Sequence, residues 1–125
     1  MGNLEIDQAC AGLDILSEEA HRTAKDKGWW EDMDRNVPEQ LALFHAEISE
    51  ALEEYRSHGM DCLTHIDMDV DGKPGKPGGF PVELADLFIR VFDTCGRYGV
   101  PLGEAMKLKL AFNKTRPHRH GSKFA

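Results

Sequence analysis

The 125-residue sequence has no apolar run near the ~20 residues that a helix needs to cross a bilayer, so no membrane span is expected. The start, "MGNLEIDQAC", lacks a basic region followed by an apolar core, and no secretory leader is expected. Gly2 follows the initiating methionine, but Ile6 stands where a myristoylation pattern needs Ser or Thr. Cysteine is scarce. Cys10, Cys62 and Cys95 are odd in number and form no CxxC pair, which fits free thiols in a reducing cytoplasm and neither a disulfide framework nor a zinc site. Positive charge is in deficit. The net charge of −7 excludes a general nucleic-acid binder, and it splits into +5 from Pro101 onward and −12 before it. An acidic body with a basic end suits a ligand that carries both signs, such as a metal–polyphosphate complex.

Strand patterning and internal repeats are also missing. What remains is helical periodicity. Apolar residues recur at three- and four-residue spacing from Glu5 to about Lys27, where Gly28 ends the run. Pro38 suits the first turn of a second helix reaching about Ser57, before Gly59. Residues 59–80, with "DGKPGKPGGF", read as a long loop without regular structure. Pro81 opens a third helix to about Tyr98, closed by Gly99, and Pro101 opens a fourth to about Arg116, before Pro117. Residues 117–125 read as a loosely ordered tail. The expected fold is all-α, one domain over 1–125, a four-helix bundle-like protomer. The 59–80 loop is longer than a compact domain keeps without a use.

The second helix carries four glutamates in "AEISEALEEY". At roughly 100° per residue, Phe44, Ile48, Ala51, Leu52 and Tyr55 form an apolar stripe about 90° from Glu47. Glu50 and Glu54 lie within roughly 60° of Glu47, and Glu53 points elsewhere. The third helix repeats the arrangement: Leu84, Leu87, Phe88, Val91 and Cys95 form its stripe, with Glu83, Asp86 and Arg90 on the same shoulder. Packed antiparallel, the two helices bring the pairs face to face. One ExxE is an ordinary helix surface. Two at matching positions read either as a solvated surface or as a converging cluster whose repulsion a cation relieves. Oxygen ligands without His or Cys select Mg²⁺, with Mn²⁺ as a substitute, and the absence of Glu-x-x-His argues against a di-iron centre.

Lys109, Asn113 and Arg116 share one face of the fourth helix and suit phosphate oxygens, although basic residues also favour any helix C-terminus. Trp29 and Trp30 follow the first helix, and could stack on a base or cap the core. His21 and Lys25 share a helix face; they could reach the same pocket and read first as a surface pair. "DMDVDG" at 67–72 imitates the start of an EF-hand loop, but Gly78 stands where the twelfth-position glutamate belongs.

Taken in order, "LALFHAEISEALEEYR", "PVELADLFIRVFDTC" and "KLAFNKTRPHRHGSK" resemble the MazG-like nucleotide pyrophosphohydrolases of the all-α NTP pyrophosphatase superfamily. The resemblance covers about residues 38–121 and, more weakly, the first helix. It implies a helical bundle completed by dimerisation, as a homodimer or a dimer of dimers. It implies Mg²⁺ held by Glu47, Glu50, Glu83 and Asp86, substrate contacts from Lys109, Asn113 and Arg116, and cleavage of a nucleoside triphosphate to the monophosphate and pyrophosphate. Many relatives read EExxE, whereas Ala46 stands in the first place here. Glu54 is the expected stand-in as catalytic base. The Ala46 departure keeps open a catalytically inactive helical interaction module, and the acids alone fit a phosphoribosyl-ATP pyrophosphohydrolase as well.

Overall fold

The computed structural model describes residues 2–32, 34–59, 65–68 and 74–120. The described residues are all-helical apart from a small hairpin: α1 (Asn3–Asp26), α2 (Val37–His58), β1 (His65–Met68), β2 (Pro74–Gly78), α3 (Phe80–Tyr98), α4 (Leu102–Thr115), then a 3₁₀ turn at His118–His120. Among the described residues no helix is long and apolar enough to cross a membrane.

The start of α2 and the end of α3 have local causes. The Asn36 side chain caps α2 by accepting from the Glu39 N–H at 2.9 Å, and Pro38 occupies the first turn, where no donor is needed. Gly99 ends α3 in the left-handed conformation, which costs a glycine little. The hairpin departs from the loop expected over 59–80. Its register pairs Ile66 with Pro77 and Met68 with Pro74, with an irregularity between. "PGKPG" is tolerated as a strand because both strands of a two-stranded ribbon are edges, so a proline forfeits no ladder bond on its outer side. Most of the EF-hand-like stretch, residues 69–72, lies outside the described residues, as does Cys62.

The helices pack in the lateral order α2, α3, α1, α4. Tyr55 meets Phe80 while Glu47 meets Arg90, so α2 and α3 run antiparallel. Ser17 lies against Gly96 and His21 against Asp93, so α1 and α3 do too. Gly103 lies against Cys10 and Asp14 while Lys107 pairs with Asp7 at 2.9 Å, giving α1 and α4 the same relation. Two glycines permit the closest approaches. A Cβ on Gly96 would stand 2.5 Å from the Ser17 carbonyl oxygen, and one on Gly103 would collide with that of Cys10. Asp14 also accepts the Gly103 N–H at 3.0 Å, so a carboxylate of α1 caps the start of α4.

The apolar stripe expected to be the core face of α2 is largely exposed, and that of α3 is exposed at one position. On α2 only Ala51 of the expected stripe is buried, while Ile48, Leu52 and Tyr55 are about half exposed. On α3, Cys95 is buried and Phe88 is 56% exposed. The charged shoulder turns inward instead: Glu47 and Glu83 are buried. Among the described residues no large side chain is fully enclosed.

Candidate functional site

Because α3 separates α1 from α2, a groove of about 670 Å³ runs between those two helices with α3 as its floor. Its α2 wall carries Gln40, Glu47 and Glu50; its floor carries Asp86, Ile89, Arg90 and Asp93; Trp29, Trp30 and Arg35 close one end.

Glu47, Glu83 and Asp86 each offer a carboxylate oxygen, and the three lie within 4.8 Å of one another. Glu47 Oε2 and Glu83 Oε2 are both buried and have no hydrogen-bond partner. Burial, then the charges of Asp86 and Glu50, push the Glu83 carboxyl above the usual glutamate range; Lys76 works against them and Glu47 adds to them. Arg90 donates from Nε to Glu47 Oε1, a cation already drawn to the cluster. The residues fit a divalent cation of the magnesium class: hard oxygen donors, two of them buried and unpaired, without nitrogen or sulfur ligands.

Three of the four expected metal ligands thus converge. Glu50 stands beside them, exposed, lining the groove. Glu54 does not line the groove; it pairs with His58 at 3.5 Å. Lys109, Asn113 and Arg116 are not brought to the carboxylates of the same chain, because α4 packs on α1. Lys109 and Arg116 instead stack on Phe112, at 5.1 and 5.5 Å from its ring centre, and Asn113 is exposed.

The two tryptophans differ in burial. Trp30 is buried and donates from Nε1 to Asp93 Oδ1 at 2.8 Å, with the Arg97 guanidinium 5.0 Å from its ring centre. Trp29 is 58% exposed on the groove. His21 is not a surface partner of Lys25: its Nδ1 sits 3.0 Å from the same Asp93 oxygen, tying α1 to α3. Sequence reasoning assigned no role to Arg90, Gln40 or Asp93. Angular position marks the first two, since Arg90 lies on the Glu83 shoulder and Gln40, two turns before Glu47, repeats its direction. Nothing local marks Asp93. No family model, curated protein or solved structure matches the chain.

Proposed function

We propose that the groove is the active site of a Mg²⁺-dependent nucleoside triphosphate pyrophosphohydrolase of the MazG-like kind. The observation that carries this reading is the convergence of Glu47, Glu83 and Asp86 with two buried carboxylate oxygens left unpaired. Keeping like charges close together with two buried oxygens unpartnered is costly, and a divalent cation offsets that cost. A cation bound there would neutralise phosphate charge and lower the pKa of a coordinated water.

The chain's own groups supply the rest. Water adds to the α-phosphorus, the bond to the bridging oxygen breaks, and a nucleoside monophosphate and pyrophosphate leave. Glu50, exposed on the groove beside the three acids, is better placed than Glu54 to accept the proton of the attacking water. Arg90 and Lys76 line the groove and offer positive charge to the phosphates.

A second copy completes the molecule in this reading. The inward turn of the acids leaves Ile48, Leu52, Tyr55 and Phe88 about half exposed, and large apolar side chains grouped on a surface commonly mark an interface. A homodimer, or a dimer of dimers, covers it. Lys109, Asn113 and Arg116 then reach substrate only from another protomer.

The test is pyrophosphate release from a panel of ribo- and deoxyribonucleoside triphosphates with Mg²⁺. Release that EDTA abolishes and Mn²⁺ restores is the expected result. Silence across the panel, or full turnover in EDTA, overturns the reading.

A further inference from the structure

The walls of the groove, α1 and α2, pack on α3 and are joined to one another by the connection that carries Trp29, Trp30 and Arg35. Among the described residues, the hydrogen bonds of this connection run within it or to the adjoining turns of α1 and α2, with one exception. Trp30 Nε1 crosses to Asp93 Oδ1 on α3 at 2.8 Å. An indole N–H only donates and a carboxylate oxygen accepts, so the direction of this bond is fixed. The same oxygen lies 3.0 Å from His21 Nδ1 on α1. The Trp30 ring also meets α3 through the Arg97 guanidinium, 5.0 Å from its centre, and the edge-on ring of Tyr98 at 6.0 Å. One carboxylate oxygen thus sits where α1, α3 and the connection meet, and it ties the connection to the groove floor.

We propose that Asp93 is a positioning residue for the ligand of this groove: through Trp30 it places Trp29 and Arg35 against the nucleoside end of a bound triphosphate. The proposal rests on the pyrophosphohydrolase reading for the seating of the phosphates at the carboxylates. Asp93 lies seven residues beyond Asp86 on α3, roughly 10 Å at 1.5 Å per residue. With the phosphates at the Asp86 end, sugar and base lie toward the Asp93 end. Trp29 is 58% exposed on the groove there, and its ring face can stack on any base. Arg35 lines the same end with its Nε buried and without an acceptor. Neither contact chooses between bases, so the role concerns the nucleoside as a whole. A misplacement of about 1 Å, caused away from the reacting atoms, is already costly, which is why a strut behind Trp29 and Arg35 matters.

The experiment uses the full chain with Mg²⁺. Titration calorimetry gives dissociation constants for the α,β-methylene analogues of ATP, GTP, CTP and UTP, and for inorganic triphosphate, which lacks the nucleoside. Trp30→Phe keeps an aromatic ring and removes the N–H. It should weaken every analogue by about tenfold and leave inorganic triphosphate within about twofold. Asp93→Ala should show the same split at a lower melting temperature; if it fails to fold, Trp30→Phe decides alone. The double variant should be no weaker than the weaker single, because the two residues act as one unit. His21→Leu removes the other bond to the same oxygen and should lower the melting temperature without moving either constant. Equal weakening of analogues and inorganic triphosphate, no weakening of either, additive losses in the double variant, or a His21→Leu loss as large as that of Trp30→Phe overturns the proposal. A parent that binds no analogue overturns it too. The nucleoside-selective loss without pyrophosphate release from any triphosphate supports the role of Asp93 and overturns the catalytic reading. Pyrophosphate release with equal losses does the reverse.

Discussion

Arg90 on α3 donates from Nε to Oε1 of Glu47 on α2, while Oε2 of that carboxylate stays buried with no partner. One glutamate therefore faces a built-in cation with one oxygen and keeps the other for a second charge. Glu47 is 8% exposed at its side chain and Arg90 42%, so the pair is buried on the acid side only.

Arg90→Gln should destabilise the metal-free protein, because Glu47 loses its counter-charge. The cost should be roughly 1–3 kcal/mol, less than for a fully buried pair because the guanidinium is partly solvated. Added Mn²⁺ should raise the melting temperature of the variant by more than it raises that of the parent. Equal increments in thermal melts would show that Glu47 holds no cation.

Glu47→Gln and Asp86→Asn should each lower turnover by several orders of magnitude. A bound metal supplies several kcal/mol of transition-state stabilisation, and each ~1.4 kcal/mol is tenfold in rate. Glu53→Gln makes the same chemical change on an exposed face away from the cluster and should be nearly silent. Steady-state rates of pyrophosphate release decide it; a Glu53 variant as impaired as the Glu47 variant counts against the site.

Glu83 makes stability depend on pH with a definite sign. Burial raises its folded-state pKa above the ordinary 4.5. Its contribution is therefore fully present below that value and is lost as pH rises through the folded pKa. Without metal, Glu83→Gln should be more stable than the parent near neutral pH, and the advantage should shrink as pH falls toward 4.5. Urea unfolding in EDTA at both ends of this range checks it. A variant less stable than the parent at neutral pH would contradict the assignment.

Gly96→Ala and Gly103→Ala should each cost about 1–3 kcal/mol, since the new methyl group meets backbone carbonyl oxygen of α1 at both positions. Gly12→Ala, a mid-helix position with nothing within 4 Å of the new Cβ, should stabilise by about 0.5–1 kcal/mol. Denaturant midpoints give both signs in one experiment.

Sedimentation at micromolar concentration should give the mass of two or four chains. Leu52→Glu, on the exposed face of α2, should shift the distribution toward the monomer while far-UV dichroism stays helical. A stable monomeric parent would sink the proposal that a second copy covers this face.

The sequence by itself determined the four helices, because apolar spacing, Pro38, Pro81, Gly59 and Gly99 are all local signals, and the observed boundaries follow them within a few residues. It also determined that Glu47 and Glu50, and Glu83 and Asp86, share a shoulder, since the helical repeat fixes angles around one axis. The hairpin escaped it, because strand pairing over residues 65–78 joins segments with little strand propensity. Periodicity cannot say which face of a helix its neighbours cover. The tertiary structure decided that the acid shoulder turns inward and that Ile48, Leu52 and Tyr55 of the α2 stripe, with Phe88 of α3, stay exposed. It decided that α4 lies along α1, fixed by the close approach at Gly103 and the Asp14 cap, so that Lys109, Asn113 and Arg116 leave the groove of their own chain. It also decided that Arg90, Gln40 and Asp93 enter the groove. These are long-range outcomes, set by which helix surfaces approach closely enough to exclude water, and a repeat of 3.6 residues carries no record of them.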